Sequence, residues 1–223
     1  MQFLARPSQL HQIVGNAVYE YQNLMSDPEL TQEMKEARKQ ELLVRFRNAL
    51  REEQAKPGFQ IDALDADRQT PLMYALQEPE IMEILLLAGA NPNLHDILNY
   101  YPLHTLAFTP VHNIEPYLVL LAYGADIGSR RESRYIDAKT PLEYYLYQTT
   151  TPLGEAKPRR QNPEVIELLR TPIPEAERPF LLSRLAASRR RRQALSAYGR
   201  AHTRSGGRRH TRRKRQSRNR RRI

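Results

Sequence analysis

The stretch TPLMYAL at Thr70–Leu76 returns as YPLHTLA at Tyr101–Ala107 and again as TPLEYYL at Thr140–Leu146. The Pro-Leu pairs stand 31 and then 39 residues apart. Between them, LLLAGANPN at Leu85–Asn93 is echoed by LLAYGADIG at Leu120–Gly128. Self-similarity at a period of about 33 residues marks stacked helix–turn–helix units, each burying its apolar face only against its neighbours. The local chemistry agrees. Thr-Pro opens a helix, because the hydroxyl caps it and proline presets φ in the first turn. Leu72, Leu103 and Leu142 are then expected to face the stack. Gly89 and Gly124 fall where a helix ends and the chain needs a positive φ.

The connecting turns carry a closer likeness. IDALDADRQTPL (Ile61–Leu72) follows the pattern V-N-A-x-D-x-x-G-x-T-P-L, with Arg68 where glycine is usual. GANPNLHDILNYYPLH (Gly89–His104) follows G-A-D-x-N-x-x-D-x-x-G-x-T-P-L-H, with Asn99 at the glycine position. Asparagine tolerates a left-handed backbone better than arginine does. Over about residues 59–170 the chain resembles the ankyrin-repeat family. Its third turn, Gly124–Leu142, is about four residues too long and holds SRRESRY. The resemblance implies an all-α solenoid of about three to four helix–turn–helix units with helical caps. It also implies that His104 braces a turn through hydrogen bonds, and that a protein partner binds at turn tips and on the exposed side of each first helix. Carried onto matching positions, the tips are Asp67 and Gln69, then Ile97, Leu98 and Tyr100, then Arg134, Tyr135 and Lys139. The helix-side positions are Gln77, Phe108 and Tyr147. Turn tips are normally polar, so Ile97, Leu98 and Tyr100 together suggest either an exposed hot-spot patch or a surface covered by the long third turn.

The flanks extend the stack. Residues 1–56 read as a two-helix cap. A first helix at 8–25 has Ser8 as its cap and an apolar stripe at Leu10, Ile13, Val14, Ala17, Val18, Tyr21, Leu24 and Met25. A second helix is expected from Pro28, capped by Ser26 or Asp27, with Leu30, Met34, Leu42, Leu43, Phe46 and Leu50 buried. The repeats then occupy 57–172. In the third unit VIELLR (Val165–Arg170) is the outer helix, and the loop QTTTPLGEAKPRRQNP (Gln148–Pro163) offers a competing start at Thr151. Residues 173–198 read as a closing helix with Phe180, Leu181, Leu182 and Leu185 on its stack face, and 199–223 as a disordered tail.

Composition bounds the chemistry. Zero cysteines exclude disulfides, thiolate metal sites and thiol nucleophiles, and fit a reducing intracellular compartment. MQFLARPSQ lacks the basic and apolar regions of a signal peptide, and IMEILLLAGA is about half the length of a membrane span, so a soluble intracellular protein is expected. No zinc, nucleophile-elbow or phosphate-loop motif is present. Asp62, Asp65 and Asp67 fail the spacing of a calcium loop and read as turn residues. No catalytic residue, metal or cofactor is expected.

Charge is divided. Of the 35 Lys and Arg, 17 lie at Arg184–Ile223, where there is no Asp or Glu. The first 183 residues hold the other 18 against all 25 acids, a net of −7. The basic runs are Arg189, Arg190, Arg191 and Arg192, then Arg208, Arg209, Arg212, Arg213, Lys214, Arg215, Arg218, Arg220, Arg221 and Arg222. Such runs serve as nuclear or nucleolar localisation signals, or neutralise phosphates of RNA or DNA. The tail is also similar to Arg-rich export signals of bacterial effectors, and it has a bland reading as an arm lying on the acidic body. The leading expectation is a non-enzymatic adaptor that binds another protein through its repeats and uses the tail for an import receptor or a polyanion. A pathogen effector on the same scaffold and a nucleic-acid-binding protein are the alternatives.

Overall fold

The computed structural model describes residues 8–108, 113–131, 138–147 and 162–190. Its contacts divide the chain into Met1–Ser183 and Arg184–Ile223. Among the described residues of the first unit, α-helices run in pairs: α1 Gln9–Ser26 with α2 Gln32–Gln54, α3 Pro71–Tyr74 with α4 Pro79–Leu87, α5 Pro102–Phe108 with α6 Glu115–Ala122, and α7 Pro141–Tyr147 with α8 Pro163–Arg170. The inner row is built by α1 on α3 and α5 on α7, and the outer row by α2 on α4 and α4 on α6. No extended strand occurs among the described residues; one isolated bridge joins Arg131 to Lys139. The fold is all-α, as the repeats require.

Each pair buries its apolar side against the next pair. Leu72, Leu85, Leu103, Leu106, Leu118, Leu120 and Val165 are almost fully enclosed, while Leu142 is half-buried. Full burial of such a side chain contributes roughly 1.5–3 kcal/mol. Gly89 and Gly124 take φ of 97° and 86° at the ends of α4 and α6, as their places in the sequence demand. Arg68 and Asn99 adopt φ of 57° and 60°, so both stand in for glycine in the left-handed region.

Several details differ from expectation. α2 begins at Gln32, not Pro28, because Thr31 caps it through Met34 N–H at 3.2 Å, while Asp27 ends α1 and accepts from Glu29 N–H. Met34, in the first turn of α2, is 44 % exposed. Thr70 stands at the N-cap of α3, but its side chain makes no cap hydrogen bond. Residues 178–190 are helical, but Phe180 is 65 % exposed and Leu182 also faces outward. Leu181 is the buried residue on that turn. The competing helix start at Thr151, most of the loop 148–163 and the tail from Arg191 onward lie outside the described residues.

Candidate partner-docking surface

The turn tips are organised by one recurring device. Asp65 Oδ1 accepts from Asp67 N–H at 2.9 Å and Gln69 N–H at 2.8 Å. The backbone closes the same turn, with Asp65 N–H donating to the Gln69 carbonyl and Arg68 N–H to the Asp65 carbonyl. One repeat later, Asp96 Oδ1 accepts from Leu98 N–H and Tyr100 N–H, both at 2.8 Å, and the backbone bonds recur at Asp96–Tyr100 and Asn99–Asp96. A carboxylate holding two backbone N–H groups fixes the loop and supports the positive φ beside it. The tips are joined as well: Ile97 N–H donates to the Asp67 carbonyl at 2.8 Å. Further back in the turns, Asp62 accepts from Asn91 N–H, and Asn93 accepts from Asp126 N–H.

The third tip breaks the pattern, because Arg131 stands where Asp65 and Asp96 do. Its side chain reaches back to the second tip instead of holding its own. Nε donates to the Leu98 carbonyl at 3.0 Å, a terminal nitrogen donates to the Tyr144 hydroxyl, and the guanidinium lies 3.8 Å from the Tyr100 ring centre. Arginine is suited to this, offering a planar face for the ring and N–H groups at its edge. Tyr100 also meets Tyr144 and Phe108, with ring centres 5.8 and 6.4 Å apart. The result is that Ile97 and Leu98, 58 % and 59 % exposed, are carried on a backbone fixed from both neighbouring tips.

The helix starts share a second device, realised to different degrees. In the family pattern a Thr caps the helix and a His three residues on braces the next turn. His104 Nε2 donates to the Lys139 carbonyl at 2.9 Å, as the resemblance implied. Tyr101 occupies the Thr place, however, and His104 Nδ1 is buried with no hydrogen-bond partner. Burial holds this imidazole below its ordinary pKa, with the Lys139 bond opposing and Arg131 adding to the shift. Position 73 shows the reverse: Thr70 is present, Met73 replaces the His, and Thr70 Oγ1 is the buried atom without a partner. Thr140 and Glu143 solve the problem with a reciprocal cap, Thr140 N–H donating to Glu143 Oε2 at 2.6 Å and Glu143 N–H to Thr140 Oγ1 at 3.3 Å.

The complete device sits in the N-terminal cap. Ser8 N–H donates to His11 Nδ1 at 3.2 Å, so that nitrogen is the acceptor and Nε2 carries the proton it donates to the Gln69 carbonyl at 2.9 Å. Ser8-Gln9-Leu10-His11 is thus a fourth copy of the Thr-Pro-Leu-His signature, and α1 behaves as an inner repeat helix. Sequence reading from periodicity missed it, although the Ser-x-Leu-His spacing was there to find.

The expected docking residues fall as follows. Asp67 and Gln77 are exposed, Gln69 and Tyr100 half-buried, and Ile97, Leu98 and Phe108 exposed. A cavity of about 170 Å³ is lined by Gln69, Met73, Asp96, Tyr100, Thr105 and Phe108. A second of about 110 Å³, which shares Met73 and Thr105 with it, includes Gln77. The first two tips and the inner helices α3 and α5 therefore contribute to one continuous face. Lys139 is half-buried in the third tip, bridged to Arg131. Arg134 and Tyr135 lie outside the described residues, and Tyr147 ends α7. Arg189 and Arg190 belong to the helical stretch of the second unit, and the remaining basic residues of the tail are outside the described part. Among the described residues no group of His, Asp and Glu gathers to hold a metal ion, and no helix is long and apolar enough to cross a membrane.

Paired helices, asparagine- and aspartate-braced tips and a His-braced inner row define a helix–turn–helix repeat protein. The family model for the ankyrin repeat matches residues 67–97, from the first tip to the second, so the chain carries an ankyrin repeat there. A repeat of this kind is a protein–protein interaction module. A search of curated proteins found no match to this chain.

Proposed function

We propose that this chain is a non-enzymatic adaptor that docks a protein partner on the face formed by Ile97, Leu98, Tyr100 and Phe108, with Asp67, Gln69 and Gln77 at its edge. The observation that carries this reading is the exposure of Ile97 and Leu98 on a backbone held by Asp67, Asp96 and Arg131. Exposed apolar side chains on an already ordered loop lose little further entropy when a partner covers them, which is the economy that makes hot spots. Arg134, Tyr135, Lys139 and Tyr147 extend the same reading along the third unit. The Arg-rich tail, with 17 cations and no acid after Ser183, supplies nuclear or nucleolar localisation or attachment to a polyanion.

Affinity capture from nuclease-treated lysate tests this division of labour. The full chain is compared with Ile97→Ser/Leu98→Ser and with a chain whose tail arginines are replaced by glutamine. The adaptor reading expects the tail variant to keep its protein partner and the tip variant to lose it. Loss of all partners on nuclease treatment or tail neutralisation would transfer the function to nucleic-acid binding.

A further inference from the structure

The first two repeats differ at one point that the docking face exposes. In repeat one, Asp65 Oδ2 accepts from the Tyr74 hydroxyl at 2.8 Å, while Oδ1 holds the tip. In repeat two the residue matching Tyr74 is Thr105. Its hydroxyl donates to the Tyr101 carbonyl at 3.4 Å, and Asp96 Oδ2 receives no hydrogen bond among the described residues. Asp96 is nonetheless only 8 % exposed. Beside this shorter side chain lies the cavity of about 170 Å³, lined by Thr105 together with Met73, Tyr100, Phe108, Gln69 and Asp96.

We propose that this cavity receives a tyrosine side chain of the docked partner, its ring against Tyr100 and Phe108 and its hydroxyl donating to Asp96 Oδ2. The inference rests on the docking reading above and names the partner group it selects. The chain supplies its own template, since Tyr74 already makes this bond to Asp65. A carboxylate oxygen with an open lone pair in a mostly apolar pocket demands a donor, and a ligand without one leaves it unpaired. A cationic side chain also offers donors, but the Arg131 guanidinium already lies 3.8 Å from the Tyr100 ring centre, so a second cation would be repelled. A neutral phenol meets both conditions.

Titration of the full chain with p-cresol, followed by amide NMR signals of Asp96, Tyr100 and Thr105, tests the proposal without a known partner. Saturable shifts are expected with p-cresol, with 4-methylanisole and toluene at least tenfold weaker. Equal binding of the three, or tighter binding of n-butylammonium, would overturn it. Thr105→Tyr should fill the pocket from within and abolish the p-cresol shifts. Asp96→Asn, which keeps an oxygen for the tip but removes the acceptor, should weaken them at least tenfold. Unchanged p-cresol binding in either variant contradicts the assignment, and the wild-type comparison decides even if a variant does not fold. If Ile97→Ser/Leu98→Ser leaves protein capture intact while p-cresol binds as expected, the docking reading fails and the pocket stands. If capture depends on those residues but p-cresol behaves like toluene, the reverse holds.

Discussion

Ser8 and His11 make, at the start of the first helix, the paired contact that Thr70 and His104 each achieve only in part. The imidazole accepts from the cap and donates onward to the Gln69 carbonyl, which also closes the first tip by accepting from Asp65 N–H at 3.1 Å. One side chain therefore links helix start, neighbouring turn and next repeat. The same double acceptance occurs at Lys139, whose carbonyl receives His104 and Arg131 N–H. At Tyr100 the carbonyl has the Asp96 N–H bond, and the matching inner-helix position holds Met73.

Met73→His should complete that missing link, giving Thr70 Oγ1 a partner and Tyr100 its second donor. An added buried hydrogen bond contributes about 0.5–1.5 kcal/mol. Urea unfolding at pH 8, where the new imidazole is neutral, is expected to show a gain of about that size. A loss of stability would mean that the inner row does not tolerate the repeat signature here.

Two buried groups give opposite pH signatures. For His104, held below its ordinary value by burial, the unfolded chain binds a proton that the folded chain resists. Its contribution is complete above the ordinary histidine value of about 6.5 and is lost as pH falls below it. His104→Asn should cost about 1–2 kcal/mol at pH 8, and the gap to wild type should narrow on acidification. A gap that stays constant to pH 5 would contradict the assignment.

Glu78, at the start of α4, is pushed up to about 7, chiefly by burial, with the Gln22 amide opposing and Glu80 adding to the rise. Here the folded chain binds the extra proton, so stability is lost as pH rises from about 4 to 8. Glu78→Gln keeps an acceptor for Gln22, whose amide donates at 3.1 Å. It is expected to match wild type below pH 4 and to exceed it at pH 8 by on the order of 2 kcal/mol. Denaturant midpoints across that range check the sign.

The left-handed residues at the tips make a graded prediction. Arg68 at φ 57° carries the penalty of a β-carbon in that region, of order 1 kcal/mol, whereas Asn99 at 60° carries less. Arg68→Gly should therefore raise thermal stability, and Asn99→Gly should raise it by less. The reverse order would show that Arg68 earns its place through its side chain.

Most of the stack was legible in the sequence because its signals are local. The Pro-Leu anchors, Gly89, Gly124 and the Asn99 turn each state a backbone requirement within a few residues. The first cap was read through apolar periodicity, which located α1 but hid the Ser8–His11 signature inside it. Thr31 prevailed over Pro28 as the start of α2 because its hydroxyl captures Met34 N–H. The docking face was only half legible. Ile97 and Leu98 stand out as apolar letters in a turn, but what fixes them comes from Arg131, 33 residues beyond Leu98. The cavity beside Asp96 has no letter of its own. It lies beside Thr105, and it gains meaning only when Tyr74 is seen holding Asp65.

The central claim is that recognition lives at the second tip. Its most direct test is a random peptide library selected on the full chain, with the affinity of the enriched peptides then measured on Ile97→Ser/Leu98→Ser. Two anchors worth at least 1 kcal/mol each predict binding weaker by tenfold or more. Affinities within twofold of wild type, in a variant that unfolds at the wild-type temperature, would contradict it.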